Sequence, residues 1–488
     1  MIVLKELKDI ILGSLRKIFN NSIQKGEVPT DFKLANVTPI FKKGDKKLAS
    51  NYRPISLTSI TGKILEQIIR DHIVHHLNSH NLICDNQHGF TINKSCLTNL
   101  LEFFDKVFKD YDEHKAVDII YLDFQKAFDL VPHNKLIAKL KSHGIDGSVL
   151  KWIQEWLNNR KQRVIINGTN SEYINVTSGV CQGTVLGPLL FLIYVNDMNN
   201  DILNNILEFA DDTKLSAVAN TVDNCKTLQN DLNNIVEWSN KWGMKLDIDK
   251  CASLHIGNNN NNFIYKIGDK NINQVLEQKD LGVIIDRDLK FHKQTNEAIK
   301  KANKLLGFIS RTFDYKSKDI ILPLYKSLVK PHLEYCVQFW SPTYRKDIDA
   351  LERIQRRATK LIPSVRNYPY KIRLKKLKLQ SLKVRRLRGQ LIEVFKILNG
   401  FDKVRPGLLT LEIDSITRNN GYKLIGNRFR TDKAKNFFTN KIVNVWNLLP
   451  NSIVSSTTIN QFKNRIDKYF TDDKINIISR VCDIDLQL

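Results

Sequence analysis

LEFADDTKLSAVA, residues 207–219, decides the fold. Apolar residues alternate on either side of a central Asp211–Asp212 pair, the pattern of a hairpin with two carboxylates at its tip. Upstream, VDIIYLDF at 117–124 is a nearly continuous apolar run bounded by charge. That is the mark of a strand covered on both faces, and Asp123 falls at its C-terminal end. Carboxylates at strand ends and turns often do no more than face solvent. Set on adjacent strands of one sheet, however, these would converge and repel, and a bound divalent cation is the usual remedy. Mg²⁺ takes one or two carboxylates plus waters and phosphate oxygens. Two such ions ~4 Å apart can stabilise the attacking and leaving oxygens of phosphoryl transfer.

Working outward, helical spacing of apolar residues predicts helices over 4–20, 61–78, 97–111, 133–142, 149–157 and 222–241. Residues 32–59 read as two short strands joined by a basic, turn-rich loop. Further strands are predicted at 163–167, 173–177, 251–256 and 281–285, and a buried helix, entered through Gly and Pro, at 184–198. The result is an α+β unit ending near residue 287. Beyond it the pattern is mainly helical, punctuated by Pro323, Pro331, Pro342, Pro363 and Pro369, and no internal repeat is present.

The chain has 488 residues, enough for about three domains, and 42% hydrophobic residues exclude wholesale disorder. Its longest apolar run, Leu189 to Val195, is too short to cross a bilayer, and no signal peptide or membrane partner is expected. Seven scattered cysteines without a CxxC pair encode neither a disulfide framework nor a cysteine-based metal site. A reducing intracellular setting, nucleus or cytoplasm rather than secreted, follows as an expectation. The net charge of +24 asks for a polyanion, and it is localised. Residues 287–400 hold 28 Lys+Arg against 9 Asp+Glu, leaving a net of only +5 for the rest. Within 366–388 ten basic residues stand with no acidic one, interleaved with Tyr368, Tyr370 and a leucine series. A basic amphipathic surface suits phosphate backbones, and a membrane-surface helix would look similar; the whole chain favours nucleic acid.

Seven blocks then carry a family resemblance: KKGDKKLASNYRPISLTS (42–59), QHGFTINKSC (87–96), VDIIYLDFQKAFDLVPH (117–133), TSGVCQGTVLGPLLFLIYVNDM (177–198), FADDTKL (209–215), WGMKLDIDKC (242–251) and KDLGVIID (279–286). In this order and spacing they resemble the reverse transcriptases of non-LTR (LINE-type, jockey-like) retrotransposons. The resemblance runs from about Phe32 into the C-terminal third. It implies a right-hand polymerase with fingers, an RRM-like palm, a helical thumb and a mainly helical basic C-terminal region. The expected boundaries are 1–115 for fingers and N-terminal helices, 116–287 for palm, 288–400 for the basic thumb-like region and 401–488 for the C-terminal region.

By the same resemblance, Asp123 and Asp211 match the metal-binding palm carboxylates, Phe124 offers its backbone carbonyl, and Asp212 completes the catalytic triad. Two Mg²⁺ ions, with Mn²⁺ as substitute, are the implied cofactors. Phe128 falls at the steric-gate position, where a ring would clash with a ribose 2′-hydroxyl. Lys43 and Arg53 lie in the block that contacts the triphosphate, although the lysine-rich loop leaves the register of Lys43 open. Gln182 and Gly183 match a pair beside the incoming nucleotide, and Lys250 matches a palm lysine placed to protonate pyrophosphate. Leu281 and Gly282 resemble a primer-grip turn. Phosphate contacts in the basic region are assigned to Lys371, Arg373, Lys375, Lys376, Arg385, Arg386 and Arg388. RNA template, DNA primer or target, and dNTPs are the implied partners.

Two departures stand out. Cys181 replaces the usual Pro before the Gln–Gly pair, loosening the expected turn, and Thr91 replaces an Arg in the 87–96 block, removing a phosphate contact. Neither touches the three acids. The chain opens at the fingers without the endonuclease region such elements place upstream, so nicking of its own DNA target is not expected of it. The principal alternative is a catalytically decayed nucleic-acid-binding protein derived from such an element. An RNA-directed RNA polymerase would share the palm but sits poorly with Phe128.

Overall fold

The computed structural model describes residues 2–412 and 421–481; Cys482 lies outside them. The N-terminal helix α1, Lys8–Lys25, stops at Gly26, whose φ of 67° supplies the left-handed C-cap. Strands β1 (Leu34–Phe41) and β2 (Tyr52–Thr58) pair antiparallel, closing the basic loop between them. Helix α2, Ile60–Ser79, starts at the Ser59 cap. Helix α3, Cys96–Asp112, starts at a capping box in which Ser95 and Thr98 each bond the other's backbone N–H. The buried run becomes β3, Val117–Leu122, with all six residues buried. After α4 (His133–Ser142) and α5 (Gly147–Leu157), β4 (Arg160–Ile166) and β5 (Ile174–Val176) follow. Helix α6, Leu186–Val195, leads to the hairpin β6 (Asn205–Phe209) and β7 (Asp212–Val218). Helix α7, Val222–Trp242, then returns the chain to β8, Ala252–Ile256.

Two sheets organise this half. The palm sheet runs β9–β8–β3–β7–β6, where β9 is Asn273–Val275; its central strands are antiparallel, and β9 lies parallel to β8. The other sheet places β4 parallel to β1 and beside β5, so strands drawn from within 116–287 complete a sheet begun in the fingers segment. The strand expected near 281–285 is β11, Val283–Asp286, which pairs only with β10, Glu277–Asp280, in a separate two-stranded ribbon. The strand is present, with Val283 and Ile285 buried, but the ribbon's turn carries it off the main sheet. This is an α+β fold.

Beyond the ribbon, helices α8 (His292–Thr312), α9 (Lys318–Leu324), α10 (Lys330–Glu334), α11 (Arg345–Lys360), α12 (Tyr370–Leu377) and α13 (Leu382–Leu398) build the basic region. A π-turn, Tyr325–Val329, joins α9 to α10. Helices α14, Phe438–Asn447, and α15, Ile459–Tyr469, close the described C-terminal part. One hydrophobic core spans α3, the palm sheet and these helices. Phe104 meets Phe339 at 5.0 Å between ring centroids, and Phe108 stacks on Phe437 at 4.3 Å. The second core lies on the other side of the palm, among α2, α4 to α7 and β3. No described helix is long and apolar enough to cross a membrane.

Candidate active site

The palm register brings the acids together. Leu122 pairs with Thr213 across β3 and β7, so Asp123, the next residue along, comes out beside Asp212 at the start of β7. Asp211 occupies the turn between β6 and β7, where Phe209 pairs with Asp212. Ala210 holds that turn at φ 58°, a left-handed conformation that a non-glycine residue adopts only when its surroundings enforce it.

The enforcing residue is Gln87. Its buried side chain accepts hydrogen bonds at Oε1 from Ala210 N–H (2.8 Å) and Gly89 N–H (2.7 Å), while Nε2 donates to the Ala210 carbonyl at 3.3 Å. The same Nε2 donates to Glu208 Oε2 at 3.1 Å. Burial pushes the Glu208 carboxyl up to about 8, against the pull of the Gln87 hydrogen bond. Backbone bonds from His88 N–H to Glu208 O (2.9 Å) and from Glu208 N–H to Asn86 O (3.0 Å) complete the seam. The segment 86–89 is thus a brace against the acidic turn. Nothing in its composition marks it so; Gly89, two residues after Gln87, is the local hint.

Electrostatics report the convergence. Burial raises the Asp211 carboxyl above its usual range and Asp123 adds like charge, while Lys42 and Arg53 pull it down. Asp212 is raised to about 6 by surrounding protein and then by Asp211, Asp280 and Asp123. Such mutual repulsion is what a cation would relieve. Among the described residues no three His, Cys, Asp or Glu side chains form a closed metal cage. A donor set of two carboxylates and a backbone oxygen suits Mg²⁺, which completes its shell with water and phosphate. At Phe124, the ladder bonds run from Gln125 N–H to Lys245 O and from Asp247 N–H to Asp123 O, leaving the Phe124 carbonyl outside that bridge. Lys250 pairs with Asp247 and, at 3.4 Å, with Asp123; these contacts, the Asp247 hydrogen bond foremost, raise its ammonium above the usual lysine range.

Around the acids, Arg53 is exposed on β2, paired with Ile40, and Lys43 is exposed in the loop before it. Gln182 and Gly183 dock on the same strand: Ser56 N–H donates to Gln182 O at 2.8 Å, and a Cβ on Gly183 would lie 2.4 Å from Ser56 O. Gly183 also holds φ 111°, which favours glycine. Gly183→Ala is therefore expected to open this seam and lower nucleotide incorporation by about tenfold, because small misplacements at a reacting centre are costly. The check is steady-state incorporation, with unchanged far-UV circular dichroism. Despite Cys181, the turn is closed by the Thr184 hydroxyl donating to Cys181 O at 2.8 Å. Phe128 is half-buried and stacked on Phe191 at 4.2 Å and 14°, with Phe90 edge-on at 6.1 Å, so its ring is held in one orientation.

A second buried contact fastens the ribbon to the palm. Lys214, paired with Tyr121 on β3, donates to Asp280 Oδ2 at 2.5 Å, and both side chains are buried. Leu281 and Gly282 form the ribbon turn with φ of 43° and 87°, and Tyr335 Oη donates to Leu281 O at 2.9 Å.

The basic region needs correction. Lys371, Lys375 and Lys376 are exposed on α12, with Lys376 lying 4.3 Å over Tyr368. Arg373 and Arg386, in contrast, are buried at 3% and 6% exposure and present no guanidinium to solvent. Arg385 is bound by Glu334, and Arg388 by Asp467 at 2.5 and 2.7 Å. Helical spacing distinguishes a polar from an apolar face only when the two differ. In RRLR every face carries charge, so the buried side was not legible.

The profile of the family described as "Reverse transcriptase (RNA-dependent DNA polymerase)" matches residues 40–308, more than half of the chain. The chain belongs to this reverse transcriptase family. The match begins in β1 and ends in α8, so it takes in both sheets and the ribbon. Among curated proteins, this reverse transcriptase chain is similar to "RNA-directed DNA polymerase from mobile element jockey" of Drosophila funebris, 28% identical over 80% of this chain and 44% of the relative. It is also similar to "Probable RNA-directed DNA polymerase from transposon X-element" of Drosophila melanogaster, 26% identical over 71% of this chain and 39% of that one. The chain thus spans less than half the length of these relatives. Among solved structures, telomerase of Candida tropicalis in complex with a telomeric RNA fragment covers 98% of this chain and 68% of its own at 12% identity, with a TM-score of 0.43.

Proposed function

We propose that the chain is an RNA-directed DNA polymerase of a mobile element, adding dNTPs to a primer 3′ end on an RNA template. The observation that carries this reading is the β3–β7 register, which sets Asp123 against the Asp211–Asp212 turn, inside a family match that spans both sheets. Reverse transcriptases use divalent metal ions; Asp123, Asp211 and the Phe124 carbonyl would hold Mg²⁺ here, with Mn²⁺ as substitute. When bound, the metal lowers the pKa of the primer 3′-hydroxyl and neutralises charge on the triphosphate.

The chain's own groups supply position and field. Arg53 offers a planar fork to phosphate oxygens, with Lys42 and Lys43 as further point charges beside it. Lys250, held between Asp247 and Asp123, is placed to deliver a proton to leaving pyrophosphate. Gln182 and Gly183 form the floor against which nucleotide and template lie, and Phe128 sets its ring against the sugar. RNA template, DNA primer or target, and dNTPs are the partners this reading assigns, with nucleus or cytoplasm as the site of action.

The deciding measurement is Mg²⁺-dependent dTTP incorporation on poly(rA)·oligo(dT). Incorporation no greater than that of Asp211→Ala, with RNA binding intact, would leave a catalytically decayed binding protein instead. Phe128→Ala removes the bulk opposed to a 2′-hydroxyl and is expected to admit UTP, narrowing dTTP-over-UTP discrimination by roughly 10- to 100-fold, the range for relief of one steric clash. Unchanged discrimination would take the gate role away from Phe128.

A further inference from the structure

In the basic region, a cavity of about 350 Å³ opens between the π-turn, the turn after α12, and helices α13 and α15. Five cations line it: Lys326, Lys330, Lys378, Arg385 and Arg388. Against them stand Asp467 in the lining and Glu334 behind Arg385, leaving three positive charges in excess. The carboxylates hold the two guanidiniums in fixed orientations. The lysines differ: Lys326 and Lys378 are exposed, while Lys330 is half-buried.

Two backbone irregularities converge on the same place. Lys326 and Lys330 come from the π-turn and the residue that follows it, and π-turns are rare and concentrate at functional sites. Lys378 takes φ 51°, a left-handed conformation unusual for a lysine. Burial, and then the charge of Arg385, push the Lys330 ammonium below its usual range; Glu334 opposes this in part, and Lys326 and Arg388 add to it. Cations gathered at such a cost need a compensating anion. Leu379 and Gln380 complete the lining, and no aromatic ring is present on which a base would stack.

We propose that this cavity is a phosphate pocket for the nucleic-acid backbone, gripping phosphate oxygens through Lys326, Lys330 and Lys378 without reading bases. It rests on the reading of the chain as a nucleic-acid polymerase, but it lies outside the acidic site and outside the family match. Its location gives the pocket a further use. Glu334, which orients Arg385, precedes Tyr335, whose hydroxyl holds the Leu281–Gly282 turn. That turn follows Asp280, bound to Lys214 two residues beyond Asp212. A phosphate in the pocket therefore sits at the far end of a continuous set of contacts leading to the palm.

The test is anisotropy titration of labelled oligo(rA) with the full chain at several salt concentrations. The triple variant Lys326→Gln, Lys330→Gln, Lys378→Asn removes three charges; Asn tolerates the left-handed backbone at 378. Expected are binding about tenfold weaker at low salt and a log–log salt slope shallower by roughly 0.7 for each phosphate no longer neutralised. The control Lys226→Gln, Lys266→Gln, Lys270→Gln removes the same charge from exposed lysines on α7 and on the short hairpin before β9, and should leave both nearly unchanged. Equal weakening in the two triples would overturn the pocket in favour of diffuse attraction. RNA binding untouched by the pocket triple, while tripolyphosphate protects Lys330 of the parent chain from acetylation, would overturn the nucleic-acid assignment in favour of a free polyphosphate. The titration needs no turnover, so run on Asp211→Ala it separates failure of the pocket from failure of the polymerase reading.

Discussion

Asp211→Ala is expected to lower dTTP incorporation on poly(rA)·oligo(dT) by at least ~10³-fold, on the order of 4 kcal/mol of transition-state stabilisation at 1.36 kcal/mol per tenfold. Asp211 lies in the turn between two palm strands, with Asp123 raising its carboxyl pKa and Lys42 and Arg53 lowering it. It thus feels both the second carboxylate and the cations of the β1–β2 segment. On the proposed reading, removing it takes away one of the two carboxylates that would hold the metal and leaves Asp123 with the Phe124 carbonyl. The substitution also relieves repulsion, because Asp211 is the first like charge acting on Asp212. The fold should therefore be no less stable, and binding of the polyanionic template should hold or tighten slightly. A protein that loses incorporation and RNA binding together would point to misfolding. Retained incorporation would remove Asp211 from the chemistry.

What the sequence discloses and what it withholds divide along physical lines. The strand at 117–122 was legible because six consecutive buried positions leave a continuous apolar run, and the hairpin because alternation brackets a polar tip. The acids could be located from these alone, and the register then set Asp123 beside Asp212. Contacts remote in sequence were not legible. Gln87 meets Ala210 across 123 positions, and Lys214 meets Asp280 across 66. Neither pair leaves a periodic trace, since each depends on one side chain filling one gap. Glu66 is a third case: from α2 it accepts the Val185 N–H at 2.7 Å and the Leu186 N–H at 3.3 Å, a borrowed cap for α6. In the basic region, charge density was legible but orientation was not, so Arg373 and Arg386 read as surface groups although they pack inside.

The brace at 86–89 yields the second large effect. A Cβ on Gly89 would stand 2.2 Å from the Ala210 nitrogen and 2.9 Å from the Phe209 carbonyl carbon. Both are backbone atoms of the acidic turn, so no side-chain rotation relieves the overlap. Gly89→Ala must push the 86–89 segment and the turn apart, straining the Gln87 bonds that hold Ala210 left-handed. The expected outcome is a loss of about 10²-fold in kcat, the order associated with a 1 Å misplacement of reacting groups. Stability should fall by only about 1–3 kcal/mol, as for other overpacked sites. Gly13→Ala is the matched control: on α1 the added methyl meets nothing within 4 Å, and exchanging Gly for Ala within a helix gains up to ~1 kcal/mol. Affinity for primer–template in Gly89→Ala should stay near that of the parent, because the cations of the fingers and of the C-terminal helices are untouched. Parental kcat in Gly89→Ala would mean that the turn bearing Asp211 is held by the palm strands alone. A lowered kcat with parental affinity would make this segment the positioning element of the acidic turn, although it contributes no atom to the reaction.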